Sequence, residues 1–298
     1  MVIAFEQVGK LLIFIAIGYI LGHFNIVDKS HSKILSVILV YFVSPCTSVK
    51  SLASGFTVEY LKNYYPMILV SIGLLLFFIF ISFFLAKLFS KNRYEQNVYH
   101  YTLTIPNYGY MGYALAEGLF GAAGLLNMVV FCLFIGVYIA SVGYIMLTNQ
   151  KFDWKLFIKP NFAGLIIGIF LGLTQIPMPS LFNDIVNTSA ACLSPLAMLL
   201  TGIVISEFKF KDLIVDKKAY IVSVLRLIVI PLLVLLMLKP FFKPDIVTTA
   251  VLYHALPCGL NTIVYAKSAN ENYILGAKFA VVSNLLSLIT LPLILAII

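Results

Sequence analysis

Two short stretches hold the residue types from which an otherwise apolar chain could build a binding site. One is TIPNYGYMGYA, Thr104 to Ala114, and the other is YHALPCGLNTIVYA, Tyr253 to Ala266. Each contains a proline (Pro106, Pro257), an asparagine soon after (Asn107, Asn261), a glycine (Gly109, Gly259) and a Tyr-Ala pair. Proline lacks a backbone donor and clashes with the preceding turn, so a helix bends or opens there. Opening at Pro106 frees N–H groups near Tyr108 to Tyr110, and opening at Pro257 frees those near Gly259 and Leu260. Half-helix N-termini carry partial positive charge and suit an anion, with the asparagine amides as oriented donors and acceptors. The same breaks expose carbonyls that could hold a coupling cation. His254, one turn before Pro257, is a candidate carrier of a coupling proton.

The elements that position these residues must be membrane helices. The chain has 298 residues, 61% of them hydrophobic and 11% charged, with a mean hydropathy of +1.03, against about a quarter charged in soluble domains. With about 20 apolar residues needed per span, the apolar runs fall at 3–22, 33–54, 65–88, 97–118, 123–147, 161–177, 182–206, 218–240, 246–267 and 273–298. The cuts at 118–123, 177–182 and 267–273 leave very short loops. Val2 to Gly22 reads as a retained first span, since the N-terminus lacks a basic n-region and a convincing small-residue cleavage site. The net charge of +8 comes from Lys and Arg scattered through short loops, which membrane topology explains better than a nucleic-acid footprint. Odd-numbered loops carry thirteen basic residues, including Lys29, and even-numbered loops four. The odd loops are therefore expected in the cytoplasm and both termini on the non-cytoplasmic side of the cell membrane. Cys46, Cys132, Cys192 and Cys258 lie in apolar segments without metal-like spacing and read as buried free thiols.

The chain also resembles itself at an offset of 150. Gly18 lies over Gly168, Gly22 over Gly172, Pro45 over Pro195 and Gly109 over Gly259, while Pro106 is one residue out of register with Pro257. Five spans per half is an odd number, so the second half enters the membrane upside down, an inverted repeat. The expected fold is an all-α polytopic membrane protein of ten transmembrane helices in two inverted five-helix repeats. The fourth and ninth helices are expected to be broken by proline, with their half-helix ends converging at the midplane. Residues 1–148 form the first repeat, 149–160 a short cytoplasmic linker and 161–298 the second repeat.

PNYGYMGYALAEGLFGAAGL resembles the fourth span of the auxin efflux carrier family, which includes plant PIN proteins and bacterial malate or malonate permeases. SPLAMLLTGIVI, KPNFAGLIIGIFLGL and LPCGLNTIVYAKSANENYILGAKFAVVSNLLSLITLPLIL extend the similarity over nearly the whole chain. The resemblance implies a scaffold region and a transport region whose broken helices cross at Pro106 and Pro257, carrying organic anions by an elevator-like motion. It further implies an anion pocket that includes Asn107 and Ser48. Plant members have an acid in the third span near a lysine at the second crossover, and PMILVSIGLLLFFIFISFFLA has none. Their long cytoplasmic loop is missing too, so a microbial anion permease fits better than a plant hormone carrier.

The candidate substrate-binding residues are Asn107, Tyr108, Gly109, Gly259, Asn261 and Ser48, with Pro106 and Pro257 at the breaks and His254 for proton coupling. Among other span residues, His100 is placed nearer the cytoplasmic edge, and Arg226 and Lys278 read as snorkelling to headgroups. Glu117 reads as an interfacial charge, and Asn127 and Asn284 as interhelical glue. No G-x-x-x-x-G-K-[ST], H-E-x-x-H or G-x-S-x-G occurs, which argues against a pump or an intramembrane enzyme. The expected function is secondary active transport of small organic anions such as dicarboxylates or auxin-like carboxylates. Alternatives are a sodium-coupled organic-anion symporter of related fold and a non-transporting sensor or channel. Expected partners are the anion, an H+ or Na+ coupling ion and the bilayer, with a homodimer left open; no cofactor, metal or nucleic acid is expected.

Overall fold

The computed structural model describes residues 2–28 and 31–298, so Lys29 of the charge count lies outside the described residues. Within them the protein is helical, with no β-sheet. In chain order come α1 (Val2–His23), α2 (Ser32–Gly55), α3 (Val58–Phe89), α4 (Arg93–Thr104), α5 (Tyr108–Phe131) and α6 (Leu133–Thr148). They are followed by α7 (Pro160–Thr174), α8 (Ser180–Ser206), α9 (Lys217–Leu238), α10 (Pro244–Ala255), α11 (Asn261–Ser268) and α12 (Ile274–Leu295). Large apolar side chains such as Phe80, Leu88, Phe170 and Leu236 point outward along these helices. A lipid environment accounts for such a surface, because it carries no penalty in hydrocarbon.

Local sequence sets the helix ends. Thr57 caps α3 by accepting from the Tyr60 N–H at 3.0 Å, and the apolar run then continues for 32 residues. At 1.5 Å per residue that is about 48 Å, longer than the roughly 30 Å of a bilayer core. Asn92 caps α4 by accepting from the Glu95 N–H.

Seven helices among the described residues, α1, α2, α3, α5, α8, α9 and α12, are long and apolar enough to span a membrane. The ten expected segments are therefore not ten continuous rods. Segments 97–118 and 246–267 are each interrupted near Pro106 and Pro257. Segment 161–177 becomes the shorter α7. Segment 123–147 is divided at Cys132, its first part continuing α5. The loop expected at 118–123 shrinks to Gly121, whose φ of +66° and ψ of −158° only glycine accepts readily.

The helices pack in two groups. In one, α1 runs along α8 and α7 runs along α2; the other holds α3 to α6 with α9 to α12. The first group is held by glycines. A Cβ at Gly18 would lie 2.2 Å from the Leu199 carbonyl oxygen, and one at Gly202 would lie 2.0 Å from that of Ile15. On the other pair, a Cβ at Gly168 would lie 3.0 Å from the Ser48 carbonyl oxygen and one at Gly172 2.4 Å from that of Leu52. The contacts are reciprocal. The first helix of each half packs on the second span of the other, through glycines 150 positions apart. Small residues allow this approach in lipid, where packing rather than water exclusion drives association.

Candidate functional site at the helix crossover

α4 stops at Thr104 because Pro106 cannot donate to the turn before it, and the residue before a proline is driven to an extended conformation. Ile105 is extended at φ −114°, ψ 117°. The second break repeats this, with Leu256 before Pro257 at φ −69°, ψ 148°. The two extended segments meet side by side. Pro106 faces Cys258 in an antiparallel bridge, and the Asn107 N–H donates to the Pro257 carbonyl at 2.8 Å. The Cys258 N–H donates to Ser283 Oγ on α12 at 2.9 Å. A Cβ at Gly259 would come within 3.3 Å of the Pro106 oxygen, so the glycine sets how closely the segments pass.

Beyond the crossing both chains resume helix. In α5 the first internal bonds run from the Met111 and Gly112 N–H groups to the Asn107 carbonyl. The N–H groups of Tyr108, Gly109 and Tyr110 precede them and have no partner within the helix. In α11 the first are those of Ile263 and Val264 to Leu260. Space is open at Gly109, where a Cβ would meet nothing within 4 Å. The first turn of α5 also packs on α8, which brings the crossover to the boundary between the two helix groups.

The two asparagines differ. Asn107 is 4% exposed and its Nδ2 is buried with no hydrogen-bond partner. Asn261 donates from Nδ2 to the Tyr101 hydroxyl at 2.7 Å. The Tyr108 ring packs on Tyr113 and Tyr253. Ser48 is buried on α2 beside α7, with its hydroxyl donating to the Ser44 carbonyl at 3.3 Å. Among the described residues no hydrogen bond joins it to the crossover. His254 pairs Nδ1 with the Ala250 carbonyl at 2.8 Å and is enclosed by Phe78, Phe131 and Tyr253.

Arg226 is where the structure departs most from the sequence reading. It does not snorkel: its exposure is 0%, because α9 makes a π turn at Leu225–Val229 and the side chain runs inward to the crossover. Nη1 donates to the Leu103 carbonyl at 2.9 Å and Nε to the Leu256 carbonyl at 3.4 Å, while Nη2 is buried without a partner. No carboxylate pairs with it among the described residues. The available signal was a lone cation in an otherwise apolar span close to Pro231, and π turns gather at functional sites.

The remaining polar residues have plainer roles. Lys278 pairs with Asp216 at 3.0 Å, and this ion pair with the Lys218 and Ala219 N–H groups outweighs partial burial and holds the Asp216 carboxyl below its usual range. Glu117 pairs with Lys50 at 2.6 Å. Asn127 accepts from the Tyr60 hydroxyl as interhelical glue, whereas Asn284 bonds its own helix at the Ala280 carbonyl. His100 is buried in a network, with Nδ1 on Ser82, Nε2 on Tyr138 and Ser82 in turn on Thr104. Together with Tyr138, Gln96 and Asn97 it lines a cavity of about 550 Å³. All four cysteines are free, but Cys192 is exposed at the turn within α8 and Cys46 is partly exposed.

Comparison with known proteins agrees with this architecture. A family profile described as membrane transport protein matches residues 3–152 and again 146–295. An uncharacterized transporter of Methanocaldococcus jannaschii is 26% identical over 220 residues, covering 70% of this chain and 71% of that protein. Another, from Methanothermobacter thermautotrophicus, is 22% identical over 302 residues, covering 97% and 96%. The protein is a multi-pass membrane transporter by class. The chain belongs to the auxin efflux carrier family of membrane transport proteins.

Proposed function

We propose that this protein is a secondary active transporter of small organic anions, dicarboxylates or auxin-like carboxylates, which binds its substrate at the crossover and moves it by elevator-like alternating access. The observation that carries the reading is the meeting of two opposed, interrupted helices at Asn107 and Pro257, with the Asn107 amide buried and unpartnered. A carboxylate oxygen is the acceptor such a donor lacks, and the N–H groups at the start of α5 and α11 favour negative charge. Tyr108, Gly109, Gly259 and Asn261 border this position, and Ser48 would join it from the neighbouring helix group.

The reciprocal glycine packing supports two inverted repeats, 1–148 and 161–298, with the group of α1, α2, α7 and α8 as scaffold. Two ion pairs bridge the groups, Lys50 to Glu117 and Glu207 to Lys267, and Glu117 and Lys267 are 150 positions apart. A sliding motion would have to break them in turn. The charge count supports termini on the non-cytoplasmic side. The reading is tested in proteoliposomes with malate, malonate and indole-3-acetate. Saturable uptake with counterflow is expected for at least one of them; flux that does not saturate would mark a channel, and no flux a sensor.

His254 is the proposed proton-coupling group. It lies two residues before Leu256, whose carbonyl Arg226 holds, so a proton on its ring adds a second positive charge near the crossover. An anion there offsets that charge, and proton and anion then bind cooperatively, each helping the other by the same factor. His254→Gln is expected to flatten the pH dependence of uptake. Flattening in His100→Gln instead would assign coupling to the Ser82–Tyr138 network.

A further inference from the structure

The two carbonyls that Arg226 holds are the ones a broken membrane helix leaves exposed. Leu103 lies in the last turn of α4 and Leu256 caps α10, so each oxygen stands at the negative end of a half-helix dipole, without a partner in its own helix. At this depth such oxygens need a cation or a donor, and a pair of converging backbone carbonyls is the ligand type a hard monovalent cation takes. Here a guanidinium delivered by the π turn of α9 fills the position. It is fully buried, has no acidic partner among the described residues, and keeps one edge, Nη2, unpaired.

We propose that Arg226 is a tethered cation occupying the place a coupling sodium ion would take, so that the protein binds and carries its anion independently of sodium. The inference builds on the carrier reading but concerns the opposite ends of the broken helices. The N-terminal ends are left for the anion, and the C-terminal ends are neutralised by a charge that cannot dissociate. Arginine suits this role because its charge persists when buried and its planar fork donates to two acceptors at once. Among the described residues no carboxylate pairs with Arg226, so the substrate anion supplies its counter-charge at the crossover.

The test uses the full chain in detergent and sodium as the probe, with no organic anion present. Melting temperatures are compared in sodium and choline chloride at equal ionic strength for the native protein, Arg226→Lys and Arg226→Gln. The native protein and Arg226→Lys are expected to melt alike in both salts. Arg226→Gln, which uncovers the carbonyl pair, is expected to melt lower in choline and to regain about 3 °C or more in sodium by mass action. Sodium stabilisation of the native protein, or its absence in Arg226→Gln, would overturn the proposal. If Arg226→Gln cannot be recovered folded, the native protein and Arg226→Lys decide: a sodium effect in either overturns the proposal, and a folded, sodium-insensitive Arg226→Lys supports it. Since no substrate enters these measurements, they stand whether or not organic-anion counterflow is found.

Discussion

Asn107→Ala is expected to weaken anion binding roughly ten- to a hundredfold while leaving the melting temperature nearly unchanged, because one hydrogen bond to a charged group is worth roughly 1.5–3 kcal/mol. The two effects separate because the Asn107 amide nitrogen bonds to nothing in the folded protein, while the backbone bond to Pro257 survives the substitution. Asn261→Ala makes the contrast. Its amide holds the Tyr101 hydroxyl, which is fully buried, so its loss strands a polar group at a cost of roughly 1–3 kcal/mol and lowers the melting temperature as well. Both quantities can be read on one preparation, affinity by titrating whichever anion shows counterflow and stability by thermal melting. Undiminished affinity in Asn107→Ala would remove the amide from the site and with it the main support for a crossover pocket.

Gly202→Val is expected to prevent recovery of folded protein, or to cost about 3 kcal/mol or more, at the upper end of overpacking penalties. A Cβ at Gly202 would lie 2.0 Å from the Ile15 oxygen and 2.5 Å from the Tyr19 nitrogen, both backbone atoms of α1 that no rotamer change can move. Gly73→Ala is the control. It lies inside α3 with nothing within 4 Å of a Cβ, so the change is expected to be neutral or to stabilise by about 1 kcal/mol through helix propensity. Equal melting temperatures for Gly202→Val and Gly73→Ala would show that α1 and α8 do not touch at this point.

Much of the fold was legible in the sequence. Hydropathy reveals membrane helices because each span must bury its own backbone polar groups, a property of a single segment. Pro106 and Pro257 announce their breaks for the same local reason: a missing donor and a ring clash act on adjacent turns. Matched glycines at Gly18 and Gly168 pointed to a repeat, and both lie at close helix contacts. The site was legible only in part. Asn107 and Asn261 look equivalent in sequence, yet one amide is engaged by Tyr101, 160 positions away, and the other is not. Arg226 reads as an ordinary snorkelling side chain until the π turn and the carbonyls of Leu103 and Leu256 are seen together. Segment counting failed where one glycine or one turn replaced a loop, at Gly121 and Cys132, since hydropathy does not register a change of helix direction.

That this protein lives in a membrane, that its helices break at two prolines, and which family it resembles can all be read from the order of residues. All three depend on neighbours along the chain or on the order of motifs. Only the folded chain reveals the backbone bond that joins the two breaks, the single guanidinium that takes the carbonyls beside both, and the one asparagine amide left without a partner. The backbone bond from Asn107 to Pro257 and the reach of Arg226 to Leu103, 123 positions away, join segments that local sequence does not relate. In lipid, where apolar surfaces do not sort helices, they are set by how closely glycine lets backbones approach and by which polar group finds an acceptor.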